Sequence, residues 1–465
     1  MKKNSLLKAI GVMFLLYVVI SWFVPTGYFS EGELVKEAVT PVGLFDIVRY
    51  PLIAATSSIF ILSALVILVI GGVYGVLNKT GAYKKLVDGV VNKFKEEKPV
   101  FLVITILVFT ILSSLTGQTL TLFVLVPFFA TIILLLGYNK ITAMISTIGS
   151  ILVGNLASTY GFNVAGYTSY LTKNMNDSII YKIVLFVLLV GFLIFVVLKG
   201  SKDDKKVKAE EISLYSKEAK TKKSCTSLVV LSIITMLVII IGMFNWSEVF
   251  NITFFDDLYT KIVEFEFNGY PLFANIIGSI YAIGHWTNYE LALTLIIFAL
   301  LIGWIYNLKF NEIVSSFIDG AKKMVPVALY TIIANLLFLL MNSSSTGATF
   351  FNTISNAIFG LTKGFNVLTY SLTAFLGSFL YNDYPYLLSA LYSPITTLFE
   401  NVSLVGFITS SIHGLVQIIA PTSIMLVAGL TYFDIPYTEW LKKIWKYVLY
   451  CLIVLALIII VMALI

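Results

Sequence analysis

The sequence predicts an all-α polytopic membrane protein, an inverted-repeat transporter with about nine spans, two re-entrant hairpins and two broken helices. Three observations carry that expectation. The 465 residues are 58% hydrophobic and only 12% charged, against about 25% charged residues in soluble domains. Several apolar runs exceed the roughly 18 residues that read as membrane spans. Two apolar stretches are interrupted in their middles. Ser146 to Gly166 breaks at Gly154-Asn155-Leu156-Ala157-Ser158-Thr159-Tyr160-Gly161, and Thr409 to Leu430 breaks at Ala420-Pro421-Thr422-Ser423. Proline removes a backbone donor and disfavours helix at the residue before it. In hydrocarbon such a break is tolerated only where protein or a water-filled cavity satisfies the freed backbone.

Taken in order, full spans are expected near 6–24, 52–78, 141–167, 179–198, 225–245, 287–308, 324–341, 402–430 and 447–465. The first lacks a small-residue cleavage site and reads as a retained span rather than a signal peptide. Two further stretches, near 99–137 and 366–398, are long enough for two spans each, but both of their ends fall on one side of the membrane by charge. They read as hairpins, the first with its middle at Ser113-Ser114-Leu115-Thr116-Gly117-Gln118-Thr119 and its tip marked by Gln118 and Thr119, the second around Asn382-Asp383-Tyr384-Pro385. Tyr270 to Ala282 reads as a short interfacial helix or another membrane element, with parity favouring the former.

Charge sets the orientation. With the N-terminus cytoplasmic and the C-terminus outside, 25 of the 31 basic residues lie on the inner side, as the positive-inside rule requires. The outer loops are acidic, with Glu31, Glu33, Glu37 and Asp46 in one and Glu248, Asp256, Asp257, Glu264 and Glu266 in another. Trp22, Trp246 and Trp286 mark outer ends of spans, while Trp304, Trp440 and Trp445 mark inner ends. The first hairpin opens inward and the second outward, and the broken helices run in opposite directions, the pattern of an inverted repeat. The halves are 1–198 and 224–465, joined by a cytoplasmic linker at 199–223 that reads as an ordinary charged tether.

Polar residues at the breaks and tips are the candidate substrate- and ion-binding groups: Asn155, Ser158, Thr159 and Asn163, then Thr422 and Ser423, with Gln118, Thr119, Asn382 and Asp383 at the tips. Hard cations prefer oxygen ligands, and helix N-termini receive carboxylates. The competing reading for each Ser, Thr and Asn is hydrogen bonding between packed helices. Asp383 is a rare acid inside an apolar region, a position that defaults to function. It is a candidate to take up a proton, ligate a cation or pair with an ammonium; the plainer reading is a hydrated outer loop. His413, one turn before Gln417, is a candidate proton carrier or a packing residue. Tyr74, Tyr160, Tyr384 and Tyr386 are weaker candidates for cavity walls.

Motifs spread along the chain carry a family resemblance. Ser21-Trp22-Phe23-Val24-Pro25-Thr26-Gly27-Tyr28-Phe29 resembles the outer end of the first span in the YfcC/DcuC-type anaerobic four-carbon dicarboxylate carriers. The stretch from Gly71 to Ala82 is similar to that family's glycine-rich second span with its Lys-Thr-Gly-Ala turn. Phe317-Ile318-Asp319-Gly320-Ala321-Lys322 matches a Phe-x-x-Gly-Ala-Lys segment, and Pro421-Thr422-Ser423 with Pro436-Tyr437-Thr438-Glu439-Trp440-Leu441-Lys442 resembles the family's ending. The resemblance implies the ion transporter superfamily, a scaffold that is often dimeric, and a transport domain that moves with its cargo. It also implies hairpin tips and broken helices around substrate and coupling ion. Relatives of the YfcC type commonly carry a Glu-Glu pair at the first hairpin, where this chain has Gln118-Thr119.

The expectation for function is therefore a secondary active transporter in the cytoplasmic membrane. It would move a small carboxylate-bearing metabolite, a dicarboxylate or an amino acid, by cation coupling or exchange and by an elevator motion. The implied partners are that substrate, the lipid bilayer and a second copy in a homodimer. No cofactor is expected beyond a coupling Na+ or H+, no metal beyond a transported or coupling Na+, and no nucleic acid. No HExxH or paired-cysteine pattern supports metal catalysis, and Cys225 and Cys451 lie at or inside spans. The rivals are a membrane-embedded transferase, for which His285 near Glu290 is the faint candidate, and a channel.

Overall fold

The computed structural model describes residues 4–161, 178–201, 212–218, 221, 223–278, 280–341, 347–362, 365–395 and 402–464. Its framework is helical. Among the described residues eight helices are long and apolar enough to cross a membrane. They are α1 (Ser5–Phe23), α2 (Ser58–Thr80, apolar from Phe60), α3 (Lys98–Thr116), α6 (Ile179–Gly200), α7 (Thr226–Met243), α8 (Asn288–Ile305), α9 (Phe310–Met341) and α14 (Tyr437–Leu464). Shorter apolar helices fill the gaps: α4 (Thr119–Leu135), α5 (Lys140–Leu156), α10 (Val367–Leu380), α11 (Tyr384–Tyr392), α12 (Val402–Gln417) and α13 (Ile424–Phe433).

These differ from the nine expected spans. α3 has span length although it was expected as a hairpin arm. The expected spans at 141–167 and 402–430 are shorter helices ending at their breaks, at Leu156 and Gln417. α9 begins at Phe310 rather than near 324, continuing through the charged residues Asp319, Lys322 and Lys323, and α14 begins at Tyr437 rather than near 447. The chain is also not purely α. An antiparallel ribbon of β1 (Gly27–Ser30) and β2 (Glu33–Lys36) turns at Glu31 and Gly32, whose φ values are 52° and 85°, the left-handed pair of a tight hairpin. A second ribbon pairs Glu266–Phe267 with Tyr270–Pro271, followed by the exposed helix Leu272–Ile277. Six residues are too few to span.

The tightest packing joins α2 to α9. Gly71 lies on Met324 and the Gly320 carbonyl, and Gly75 lies on the Ser316 carbonyl, so a Cβ at either position would enter backbone of α9. Small residues allow helices this close in a membrane. The two sequence halves interlock rather than sit side by side. The Tyr17 hydroxyl of α1 donates to the Leu340 carbonyl at 3.1 Å, and Gly27 exchanges backbone bonds with Thr349. Tyr447 of α14 donates to the Leu189 carbonyl of α6 at 3.0 Å.

Part of the linker is docked, contrary to its reading as a solvated tether. Asn78 donates to the Leu214 carbonyl at 2.9 Å and accepts from the Ser216 amide at 3.0 Å. Ile212 and Leu214 are buried. Tyr215 donates to Asp88 at 3.3 Å; burial and that carboxylate push its phenol up to about 12, so it remains a neutral donor.

Candidate functional site

Local sequence devices bring these helix ends together. Gly117, at φ 66°, closes α3 in the left-handed conformation that glycine adopts without strain. α4 then starts at Thr119, so the tip is Gly117-Gln118. Asn139 caps α5 by accepting from the Thr142 amide at 2.8 Å, and a π-helical turn at Ile145–Gly149 re-aims the last turns of that helix. Asn366 caps α10 through its bonds from the Leu368 and Thr369 amides. Pro421 ends the run that starts at Val402, and Ser423 caps α13 by accepting from the Leu426 amide at 3.4 Å.

Close backbone contacts fix these parts relative to one another. Gly154 of α5 lies against the Thr110 carbonyl of α3, and Gly414 of α12 lies against the Leu156 backbone of α5. Gly161, past the first break, sits on the Gly117 amide at the first tip, with no room for a Cβ. α5 and α12 are therefore neighbours, and the turn after α3 is held against the segment that follows α5.

Their meeting point is a cavity of about 350 Å³. The first tip contributes Gly117 and Thr119, and the first break contributes Asn155. The second tip contributes Asn382, Asp383 and Tyr384, while the second broken helix contributes His413, Gln417 and Ser423. Asn288 of α8, Asn335 at the seam of α9, Ser63 and Phe60 of α2 and Phe338 also line it. Asn382 Nδ2 donates to Asn335 Oδ1 at 2.6 Å, and Asn335 Nδ2 donates to the Thr331 carbonyl at 3.0 Å. His413 is buried, packs at 5.9 Å between ring centroids from Tyr384, and its Nδ1 has no hydrogen-bond partner among the described residues. A concave site with converging amides, a hydroxyl, an imidazole and one carboxylate can coordinate a small polar solute and a cation together.

The expected site residues divide into two groups. Thr119, Asn155, Asn382, Asp383, His413 and Ser423 line the cavity. Ser158 and Thr159 are buried behind it: Thr159 donates from its amide to the Ser114 carbonyl at 2.9 Å, and its hydroxyl is 3.2 Å from the Ser114 hydroxyl. Thr422 donates to the Phe379 carbonyl at 3.0 Å, tying the second break to α10. These three fasten the site. Gln118 stands between two lining residues, its amide donating to Thr116 Oγ1 at 3.2 Å. Asn163 lies outside the described residues.

Among the aromatic candidates only Tyr384 lines this cavity; Tyr74 donates to the Val124 carbonyl at 2.8 Å, Tyr160 stacks on Phe250 and Tyr386 packs on Phe338. His285 pairs with Asp256 at 3.0 Å, while Glu290 closes a capping box on Thr287, so the two do not form a catalytic pair. Asn335 and Asn288 were not singled out from the sequence, although an amide in the apolar run Ala334-Asn335-Leu336 is a readable signal.

Residues 4–464 match the family model described as the C4-dicarboxylate anaerobic carrier, DcuC. No curated protein matches the chain. Of solved structures, the chain is similar to the Alcanivorax borkumensis YdaH transporter, described as having an unusual topology, at 12% identity and TM-score 0.42, covering 100% of this chain and 98% of that one. It is also similar to Neisseria gonorrhoeae MtrF, described with a class of antimetabolite efflux pumps, at 13% identity and TM-score 0.40, covering 98% and 94%. Likenesses this distant bear on neither substrate nor mechanism. The family match, by contrast, runs through both tips, both breaks and every wall of the cavity, and the chain belongs to the C4-dicarboxylate anaerobic carrier family, a family of carriers and not of enzymes.

Proposed function

We propose that this protein is a secondary active transporter that carries a small dicarboxylate through the cytoplasmic membrane, with the cavity between tips and breaks as its binding site. The observation that carries the reading is the convergence of two helix–turn–helix tips and two helix breaks on one cavity, inside a chain matched end to end by a dicarboxylate carrier family. Arg49 is the only arginine and is absent from the cavity walls, so no guanidinium fork clamps the carboxylates. Backbone amides at the breaks, Asn155, Asn335, Asn382 and the Ser423 hydroxyl hold the anion instead, and Asp383 binds a coupling Na+ or H+ beside it. In this reading the two helical hairpins are re-entrant, opening to opposite sides. The halves 1–198 and 224–465 form an inverted repeat, and the hairpins and broken helices travel as an elevator against a dimeric scaffold that includes α2, α8 and α9. The N-terminus faces the cytoplasm and the C-terminus the outside. Membership of the YfcC branch, with Gln118-Thr119 in place of its acidic pair, belongs to the same proposal. An amino acid is the second cargo reading, favoured by the Asp383 carboxylate as an ammonium partner.

Binding tests it directly. Purified protein is screened by thermal shift against succinate, fumarate and neutral or cationic amino acids, with sodium present or replaced by choline. A rise in Tm with dicarboxylates that is lost in Asn155→Ala supports the assignment. No shift with any dicarboxylate in either salt overturns it.

A further inference from the structure

α6 buries a stripe of Lys182, Leu185, Leu189 and Leu193. Lys182 is 3% exposed, yet it stands in the first turn of its helix. Two effects oppose a buried cation there. The helix dipole disfavours positive charge at an N-terminus, and a lysine near a helix end ordinarily carries its ammonium out to the membrane surface. Here the stem turns inward instead. Nζ donates to Ser410 Oγ at 3.0 Å and lies 5.9 Å from the Phe407 ring centroid. The ion pairs of the described residues involve other groups, so no described carboxylate lies within 4.0 Å of this ammonium.

The position of Ser410 makes the placement consequential. Residues three and four apart on a helix are neighbours, so Ser410, His413 and Gln417 run along one face of α12, and the last two line the cavity. The ammonium is thus one helical turn behind the cavity wall, on a rigid element. Asp383 is the only carboxylate among the lining residues, and no lysine or arginine is among them. A dianion needs positive potential in such a site, and within a low-dielectric interior a cation acts across a helical turn far more strongly than in water.

We infer that Lys182 supplies positive charge to the transport site, selecting doubly charged over singly charged carboxylates from behind α12. The inference rests on the carrier reading above. Lys182 is a positioning and selectivity residue rather than a direct ligand. At an effective dielectric of about 20, a unit charge roughly 10 Å away changes affinity by on the order of tenfold for each charge on a ligand.

The test is uptake into proteoliposomes of succinate and its singly charged monoamide by wild type, Lys182→Met, Lys182→Gln and Lys182→Arg. The inference expects wild type to prefer the dianion. The methionine and glutamine variants should raise KM for succinate on the order of a hundredfold and KM for the monoamide on the order of tenfold, shifting their ratio about tenfold, and the arginine variant should retain the preference. A purely structural lysine would lower the maximal rate for both anions equally and leave the ratio of KM values unchanged; that result overturns the inference. If the methionine variant fails to elute as folded protein, the glutamine and arginine pair decides by the same ratio. Wild type that takes up neither anion overturns the carrier reading itself, whereas wild type with the preference and unchanged ratios in the variants removes only Lys182.

Discussion

Asp383 shares the cavity with amides, hydroxyls and His413, and it is the one carboxylate on the walls. Its substitution to Asn keeps shape and removes charge, so any effect reports the charge itself. In proteoliposomes over a pH series, with sodium or choline outside, Asp383→Asn should reduce uptake by about tenfold or more and alter its pH or sodium dependence, the loss expected when a charged ligand worth about 1.5–3 kcal/mol is removed. Normal uptake with an unchanged ion dependence would leave the amides and hydroxyls as the site. Thr422 tests a different role at the same scale. Its hydroxyl satisfies the Phe379 carbonyl, and Thr422→Val strands that acceptor in a buried place at a cost of about 1–3 kcal/mol. It should lower Tm along with transport, whereas Asn155→Ala, which removes a lining amide, should lower substrate binding. A Thr422→Val variant that keeps the wild-type Tm would contradict the fastening role of Thr422.

Helix elements show how far the sequence could be read. Pro421 and the Gly154–Gly161 stretch located both breaks, because a missing donor and flexible glycines interrupt otherwise strong periodicity. Helices end at Thr116 and Leu380 and restart at Thr119 and Tyr384, beside the expected tip residues. Helix ends were less legible. α9 extends back to Phe310 through Asp319, Lys322, Lys323 and Pro326, since exposed charges on a helix look like a loop when only apolar runs are counted. Lys182 was equally hidden: a lysine near the start of an apolar run reads as an interfacial residue until packing turns it inward. The docking of Leu214 and Ser216 on Asn78 escaped for a similar reason, as isolated apolar residues in a charged segment carry no periodicity. The α2–α9 crossing, in contrast, follows from Gly71, Gly75 and Gly320. Gly75→Leu should force that crossing apart and destabilise the protein by about 1–3 kcal/mol or more, read as a lower Tm in detergent. The exposed Gly89→Leu, where a Cβ meets nothing within 4 Å, is the control; equal Tm values for the two would contradict close packing at the crossing.

Across the whole molecule, the chain's halves interlock through Tyr17 with Leu340 and Tyr447 with Leu189, while the tips and breaks converge on a single cavity. The basic asymmetry predicts its orientation: Lys85 and Lys217 are expected inside and Lys36 and Lys261 outside. Cysteine substitutions at these positions, labelled with an impermeant reagent in intact cells, should react only at 36 and 261; labelling at 85 or 217 would reverse the orientation and with it the sides to which the hairpins open. The claim on which the rest depends is that this cavity carries dicarboxylates across the bilayer. Its most direct measurement is counterflow: proteoliposomes preloaded with unlabelled succinate are diluted into trace labelled succinate. The account predicts transient, saturable accumulation of label above equilibrium that is abolished in Asp383→Asn and Asn155→Ala. Simple equilibration without overshoot, or overshoot that both variants keep intact, would contradict it.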